Sequence, residues 1–440
     1  MQLPISCPAV LISAPASGQG KTTVTSAWAR LLTRRGIRVS VFKCGPDFLD
    51  PFWHELASGR SVHQLDLWIT AEADIARRLY QAAQCSDLIL IEGVMGLFDG
   101  QPSAADLAQK FNIPVLTVID ASAMAGTFGA LAFGLKHYRP ELPWAGVLAN
   151  RVASDRHAQM LQDVIQDKAS WWGALARNDA LKLPERDLGL TVAAELPDAL
   201  QRLDAAADAL QATRLGQMDL SDFQAWSVRF EPPEPTEAAP ALLDGKTIAV
   251  ARDAAFCFVY PANLDALQSM GARLTFFSPL AGDALPECDA VWLPGGYPEL
   301  HAQVLASNTR LKQSLLHHAQ QNRAIWAECG GMMALFERLT LKDGSSFEMW
   351  GLLRGQVVMQ NKLAALGPHA LTLQGQTLRG HTFHYSRIET DMPVLTRTAR
   401  ADAPEVCHGE AFYQQDATRA SYFHPWFASN LQATALLFQP

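Results

Sequence analysis

Residues 9–35 hold the arrangement that most restricts how this chain can fold. A short apolar run, Ala9–Ser13, leads into Ala14-Pro15-Ala16-Ser17-Gly18-Gln19-Gly20-Lys21-Thr22-Thr23, and an amphipathic segment follows from Lys21 to Arg35. Val24, Ala27, Trp28, Leu31 and Leu32 repeat there at helical spacing, and Gly36 supplies the stop. A phosphate chain needs a turn of little side-chain bulk, so that backbone N–H groups converge on it, with a helix N-terminus behind. It also needs a Lys for the terminal phosphates and a hydroxyl for Mg²⁺. Gly18, Gly20, Lys21 and Thr22 supply those parts, flanked by Ser17 and Thr23. The usual pattern has Gly where this chain has Pro15, but the strand before and the helix after restore the context.

Residues 8–150 read as repeated strand–helix units, the pattern of a parallel sheet covered by helices on both faces. Further strands are expected at Arg38–Phe42, Leu88–Ile91, Val115–Ile119 and Ala145–Ala149, with ligands gathering at their carboxyl ends. Prolines and glutamates between Phe230 and Pro240 cannot continue a helix or a central strand and mark a linker. A second alternation then runs through Thr247–Ala251, Leu274–Phe277, Ala290–Leu293 and Ala324–Ala327. The expected domains are therefore 1–229 and 241–440, joined by 230–240. With 440 residues, at ~100–200 per domain, and 49% hydrophobic content, each half can bury a full core.

The formal charge of −8 is spread over both halves, which argues against nucleic-acid and anionic-membrane partners. The apolar stretch Ala121–Leu135 is shorter than the ~18 residues a spanning helix needs and reads as a buried helix. No secretory address is visible at the N-terminus, and the seven cysteines form no CxxC pair, so a reducing cytoplasm is the expected setting.

Other strand exits carry chemistry as well. Glu92 ends the strand Leu88–Ile91, where P-loop proteins hold Mg²⁺, and Asp99 follows in the loop Gly93–Gly100 as a second ligand, a substrate orienter or a turn former. Lys43 and Asp47, in Phe42-Lys43-Cys44-Gly45-Pro46-Asp47-Phe48-Leu49-Asp50-Pro51, stand beside the expected phosphate site, with Cys44 a packed thiol. Asn150, ending its strand, is a candidate reader of the adenine edge.

In the second half, Glu328-Cys329-Gly330-Gly331 follows an apolar strand and opens an apolar helix. Such an elbow lifts the thiol out, leaves the next N–H groups for an oxyanion and is expected to lower the thiol pKa through the helix N-terminus. His424 is the base chosen for Cys329, and Gly295-Gly296, with Gly330, are the oxyanion donors. His381 and His384 read as structural or substrate-contact residues rather than zinc ligands.

Together these motifs, with Leu293-Pro294-Gly295-Gly296-Tyr297-Pro298-Glu299, Leu183-Pro184-Glu185-Arg186, Ala251-Arg252-Asp253 and Arg379–Ser386, resemble the cobyrinate or hydrogenobyrinate a,c-diamide synthase family over nearly the whole chain. The resemblance implies an α/β protein: an N-terminal P-loop, dethiobiotin-synthetase-like doubly wound sheet and a C-terminal class I glutamine amidotransferase-like α/β domain. It implies ATP-dependent amidation of the a- and c-acetates of a corrinoid through acyl phosphates, with ammonia from glutamine hydrolysed at Cys329. It also implies that Thr22, Glu92 and Asp47 hold Mg²⁺, that Lys43, Asp47 and Asp99 face the acyl-phosphate region and that Leu49 lies near the corrinoid. Corrinoid, glutamine and ATP are the implied partners, and a homodimer is compatible with them.

Two departures stand out. Trp426 occupies the place, two after His424, where many amidotransferases have Glu, and Asp187 stands where the family commonly has His, so that segment is given no catalytic role. Cobyric acid synthase shares both domain types, but the Glu92–Gly100 loop favours the a,c-diamide enzyme. A partition-type P-loop ATPase accounts for Lys21 and Glu92 and leaves the Cys329 elbow unexplained. CTP synthase has the same domain order but carries the His-x-Glu pair absent here.

Overall fold

The computed structural model describes residues 3–186, 189–190, 196–234, 238–403 and 409–440, so Asp187 and Cys407 lie outside the described residues. The chain divides into two units, Met1–Pro235 and Thr236–Pro440.

In the first unit a sheet is built from β1 (Ile5–Ser13), β2 (Val39–Cys44), β3 (His63–Leu65), β4 (Leu88–Glu92), β5 (Val115–Asp120), β6 (Trp144–Val152) and β7 (Trp171–Ala176), in the order β3-β2-β4-β1-β5-β6-β7. These pairs are parallel. Successive side chains enter opposite cores: Ala9 and Leu11 pack on one face with Ile89 and Ile91, while Val10 and Ile12 pack on the other with Leu88 and Leu90. That two-sided burial is why these strands read as continuous apolar runs. The unit also holds helices α1 (Lys21–Arg34), α2 (Leu49–Ser58), α3 (Glu72–Cys85), α4 (Ala104–Lys110), α5 (Gly126–His137), α6 (Asp155–Asp163) and α7 (Ala199–Gln211).

Three features differ from the sequence expectation. β1 starts four residues earlier, and its first half pairs antiparallel with Ser227–Phe230. Phe230, counted in the linker, thus faces Ile5 and belongs to the first unit's core. A strand whose partner is more than 200 positions away leaves no local signal. The third concerns the stretch read as a buried helix. Only Phe128, Ala132 and Leu135 of α5 are buried, and Phe133 is 48% exposed, because one face alone meets the sheet while glycines and alanines fill much of the other.

The second unit repeats the logic. Arg273–Phe277, Thr247–Ala251, Ala290–Leu293, Ala324–Glu328 and Thr418–Ser421 are consecutive parallel neighbours, and Ala411–Gln415 and Val394–Arg397 extend the sheet antiparallel. An antiparallel pair, Ala365–Leu373 with Gln376–His384, stands apart, and the short strand His424–Pro425 joins its second member. Among the described residues no helix is long and apolar enough to cross a membrane.

Trp28 on α1 is fully buried and meets Phe223 and Trp226 edge-on at 6.1 and 5.9 Å, tying the segment that precedes Ser227–Phe230 to the first helix. Trp28→Ala is expected to cost about 3–5 kcal/mol in the first unit, read as a lower urea midpoint for that unit's transition.

Candidate active sites

The turn between β1 and α1 has Gly18 and Gly20 at φ 77° and 94°, a region that side-chain-bearing residues occupy only with strain. A Cβ on Gly20 would also lie 2.2 Å from Asn150 Nδ2. That close approach exists because Asn150 braces the turn: its Nδ2 donates to the Gln19 carbonyl at 2.8 Å and its Oδ1 accepts from the Arg151 N–H at 2.9 Å. Arg151 donates to the Gly18 carbonyl and to Asp120, whose N–H donates to Gln19 Oε1. The amide expected to read an adenine edge is therefore engaged with the loop, although Asn150 still lines the cavity.

That cavity encloses about 670 Å³, within the range of small-molecule sites. Ser17, Gly18, Gly20, Lys21, Thr22 and Thr23 form one wall and Lys43, Asp47, Asp50 and Glu92 another. Arg177 and Asn178, just beyond β7, also line it. They went unnoticed in the sequence because no motif marks them.

Glu92 lies at the centre of the second wall, with no solvent exposure. Its Oε1 accepts from the Thr22 hydroxyl at 2.8 Å and sits 3.1 Å from Lys43 Nζ, and its Oε2 is 2.5 Å from His54 Nε2. Lys43 also meets Asp50 at 2.5 Å and Asp47 at 3.9 Å. Burial pushes the Glu92 carboxyl up, but Lys43, His54 and Thr22 outweigh it and hold the group well below the usual carboxylate range. Burial likewise opposes the Lys43 charge, and Asp50, Glu92 and Asp47 overcome it, raising the ammonium above its ordinary value. Burial, with Asp47 and Glu92 beside it, raises Asp50 well above the usual range. One buried ammonium faces three carboxylates, and the same surroundings favour the ionised form of Glu92 and the protonated form of Asp50.

Lys21 Nζ donates to the Met95 carbonyl at 2.6 Å, and burial followed by repulsion from Lys43 lowers its pKa. The loop after Glu92 packs on the phosphate turn through Leu97 N–H to the Ala14 carbonyl. Asp99 accepts from Gly96 N–H at 2.8 Å, a bond that closes its own loop. Asp47 accepts from the N–H groups of Leu49 and Asp50 at the start of α2, and Leu49 is buried there. Thr22, Glu92 and Asp47 offer hard oxygen donors of the kind Mg²⁺ takes. Among the described residues no group of three or more His, Cys, Asp or Glu side chains that could hold a metal ion is present.

In the second unit, Cys329 stands between Ala324–Glu328 and a short helix, Gly330–Leu335, at φ 47°, strained for a residue with a side chain. Glu328 lies opposite Ser421 in the neighbouring parallel strand, and Cys329 N–H donates to the Ser421 carbonyl at 2.8 Å. Cys329 and His424 thus leave the carboxyl ends of adjacent strands. Close packing then brings in the glycines. A Cβ on Gly330 would lie 2.9 Å from Gly296 N, and one on Gly295 would lie 2.4 Å from His424 Cε1. The elbow, the Gly295-Gly296 turn and His424 are assembled in one place, each contact open only to glycine.

His424 is buried, stacks on His381 at 5.0 Å and 18° and meets the edge of Phe258. Burial, with His381 and His384 nearby, pushes its pKa well below the ordinary value, which leaves a neutral imidazole able to accept a proton. Trp426 packs on Tyr260, whose hydroxyl is 3.2 Å from His381 Nδ1. His384 stacks on Tyr422 and is 3.1 Å from Glu410.

The expectation of an acidified Cys329 thiol is not met. Burial first, then Glu299, push it far up, and the Gly330 N–H pulls it down by less. The helix behind it has six residues, too short for a strong macrodipole. The thiol therefore stays protonated until a base takes the proton. Glu299, half-buried, is itself raised to about 7 by burial. Below pH 7 it is neutral; above, its charge opposes thiolate formation. Glu299→Gln is expected to speed iodoacetamide alkylation of Cys329 at pH 8 by about two- to tenfold, with little change at pH 6, measured by mass spectrometry of the Cys329 peptide.

Residues 10–190 match the CobQ/CobB/MinD/ParA nucleotide binding domain, and residues 247–432 match the CobB/CobQ-like glutamine amidotransferase domain. A hydrogenobyrinate a,c-diamide synthase of Stutzerimonas stutzeri is 52% identical over 436 residues, covering 99% of this chain and 99% of that protein. One from Pseudomonas aeruginosa is 50% identical, covering 99% of this chain and 98% of its own length. A cobyrinate a,c-diamide synthase of Herminiimonas arsenicoxydans is 47% identical over 98% of this chain and 96% of its own. The amidotransferase half removes the partition-ATPase reading, and full-length likeness of this degree, on a chain with both sites assembled, means that the protein belongs to the cobyrinate/hydrogenobyrinate a,c-diamide synthase family.

Proposed function

We propose that this protein uses ATP and glutamine to convert the a- and c-acetate carboxylates of cobyrinic or hydrogenobyrinic acid to amides, in the cytoplasm. The observation that carries this reading is that one chain holds both a phosphate-binding turn facing a buried Glu92–Lys43 cluster and a Cys329 elbow assembled with His424 and two glycine turns.

At the second site, His424 takes the Cys329 proton as the sulfur attacks the glutamine amide carbon. The oxyanion that forms is met by N–H groups of the Gly295-Gly296 turn and Gly330. The amine leaves as ammonia once His424 returns the proton, and water then cleaves the glutamyl thioester. At the first site, a corrinoid carboxylate attacks the terminal phosphorus of ATP, giving an acyl phosphate and ADP. Ammonia adds to the acyl carbon and phosphate departs, leaving the amide. Lys21 and the loop N–H groups stabilise charge on the transferring phosphoryl group. Thr22, Glu92 and Asp47 are the residues to hold Mg²⁺, which when bound neutralises phosphate charge. Lys43 holds the carboxylates of that wall together.

Cys329→Ala is expected to lose glutamine-dependent amidation by about 10³-fold or more while ammonia-dependent amidation stays within about twofold of the parent. Equal loss with both nitrogen sources would defeat the two-site mechanism. Lys21→Ala is expected to abolish turnover with either source, and retained synthesis would show that the turn is not the phosphate site. Offering cobyrinic and hydrogenobyrinic acid separately distinguishes the corrinoid choices: in the acid that is accepted, each amidation lowers the mass by about one unit through replacement of OH by NH₂, and two such steps are expected.

A further inference from the structure

His54 was not among the residues singled out by motif, yet it is completely buried, as are Ser26 and Glu92. Its Nδ1 is 2.9 Å from the Ser26 hydroxyl and its Nε2 is 2.5 Å from Glu92 Oε2. Because an ionised carboxylate only accepts, Nε2 carries the proton in the second bond. The three residues come from three elements: Ser26 from α1, His54 from α2 and Glu92 from the end of β4. Each helix also reaches the same carboxylate cluster one turn earlier, α1 through Thr22 and α2 through Asp50, four positions before Ser26 and His54.

A carboxylate at the end of a strand can rotate about its side-chain torsions, and holding it in one rotamer costs conformational entropy. Here Oε2 is held by His54, while Oε1 accepts from Thr22 and lies 3.1 Å from Lys43 Nζ, and Thr22, Lys43 and Glu92 all line the cavity. Buried hydrogen-bond partners of this kind set the orientation of carboxylates that bind cations.

We infer that His54, backed by Ser26, is a positioning residue that fixes the Glu92 carboxylate so that Oε1 and the Thr22 hydroxyl are presented together to the nucleotide-bound divalent cation. The inference rests on the proposed role of Glu92 as a Mg²⁺ ligand.

The test uses the full chain and isothermal calorimetry with the β,γ-imido analogue of ATP, titrated with MgCl₂ and also without it. His54→Leu is expected to raise the Mg²⁺ concentration needed for half-maximal tight binding by about 10–100-fold, with Mg²⁺-free analogue binding unchanged. His54→Gln, whose amide N–H still reaches a carboxylate, is expected to recover most of the loss. Packing alone predicts the reverse: no change in the Mg²⁺ midpoint, or equal damage from Leu and Gln, and either result overturns the inference. If His54→Leu does not fold, Ser26→Ala carries the test through a smaller shift in the same direction, and an unchanged midpoint there overturns it. Glu92→Gln separates the two levels. If it leaves Mg²⁺ dependence intact, the ligand reading of Glu92 fails; if it abolishes that dependence while His54→Leu does not, this inference alone fails.

Discussion

The first unit is organised around a buried ion pair, Glu92 with Lys43. Glu92 sits buried at the carboxyl end of β4, and an ion there persists only with partners around it. Sheet order supplies them. β4 lies between β2 and β1, in register so that Glu92 stands opposite Lys43 on one side and Ile12, just before the phosphate turn, on the other. The helices that follow those strands bring Thr22 and Ser26, and Asp50 and His54. A parallel sheet with this crossover pattern thereby places an ammonium, hydroxyls and an imidazole around one carboxylate at the sheet's switch point. The cavity wall is as much a product of charge compensation as of backbone shape.

The second unit solves a different problem with the same geometry. Cys329 and His424 leave adjacent parallel strands, and glycine, lacking a side chain, lets backbone segments approach within contacts that a Cβ would block. Its electrostatics run opposite to those of the first site. There, Glu92 and Lys43 are held ionised by their partners; here burial keeps both the thiol and the imidazole neutral. A neutral pair avoids a buried charge at rest and forms the ion only as the proton moves. Carboxyls around the thiol, Glu299 foremost, reinforce that resting state.

Much of this was visible before folding was considered. The turn Gly18–Thr23 and the Cys329 elbow are contiguous, and their chemistry depends on local backbone freedom that residue type announces directly. Strand cores such as Leu88–Ile91 were legible because burial on both faces demands unbroken apolar character. Asp99 and Asn150 illustrate the converse. Their residue types suit ligand contact as well as turn bracing, and only the fold shows that Asp99 accepts from Gly96 N–H and that Asn150 donates to the Gln19 carbonyl. The helix over 126–137 is only partly buried, and its sequence does not announce this because small residues are compatible with either burial or exposure.

What the sequence by itself determined was the inventory of chemistry: a phosphate-binding turn, an acidic strand exit, a cysteine elbow and the glycines that allow them, because each is written within about ten consecutive residues. What only the tertiary structure decided was the partnership among them. Ser26 with His54, His54 with Glu92 and Thr22 with Glu92 are 28, 38 and 70 positions apart, and His424 reaches Cys329's surroundings through strand order alone. The physical reason is that hydrogen bonds and ion pairs act over a few ångströms in space, and it is sheet topology that converts distance along the chain into proximity at the carboxyl ends of neighbouring strands.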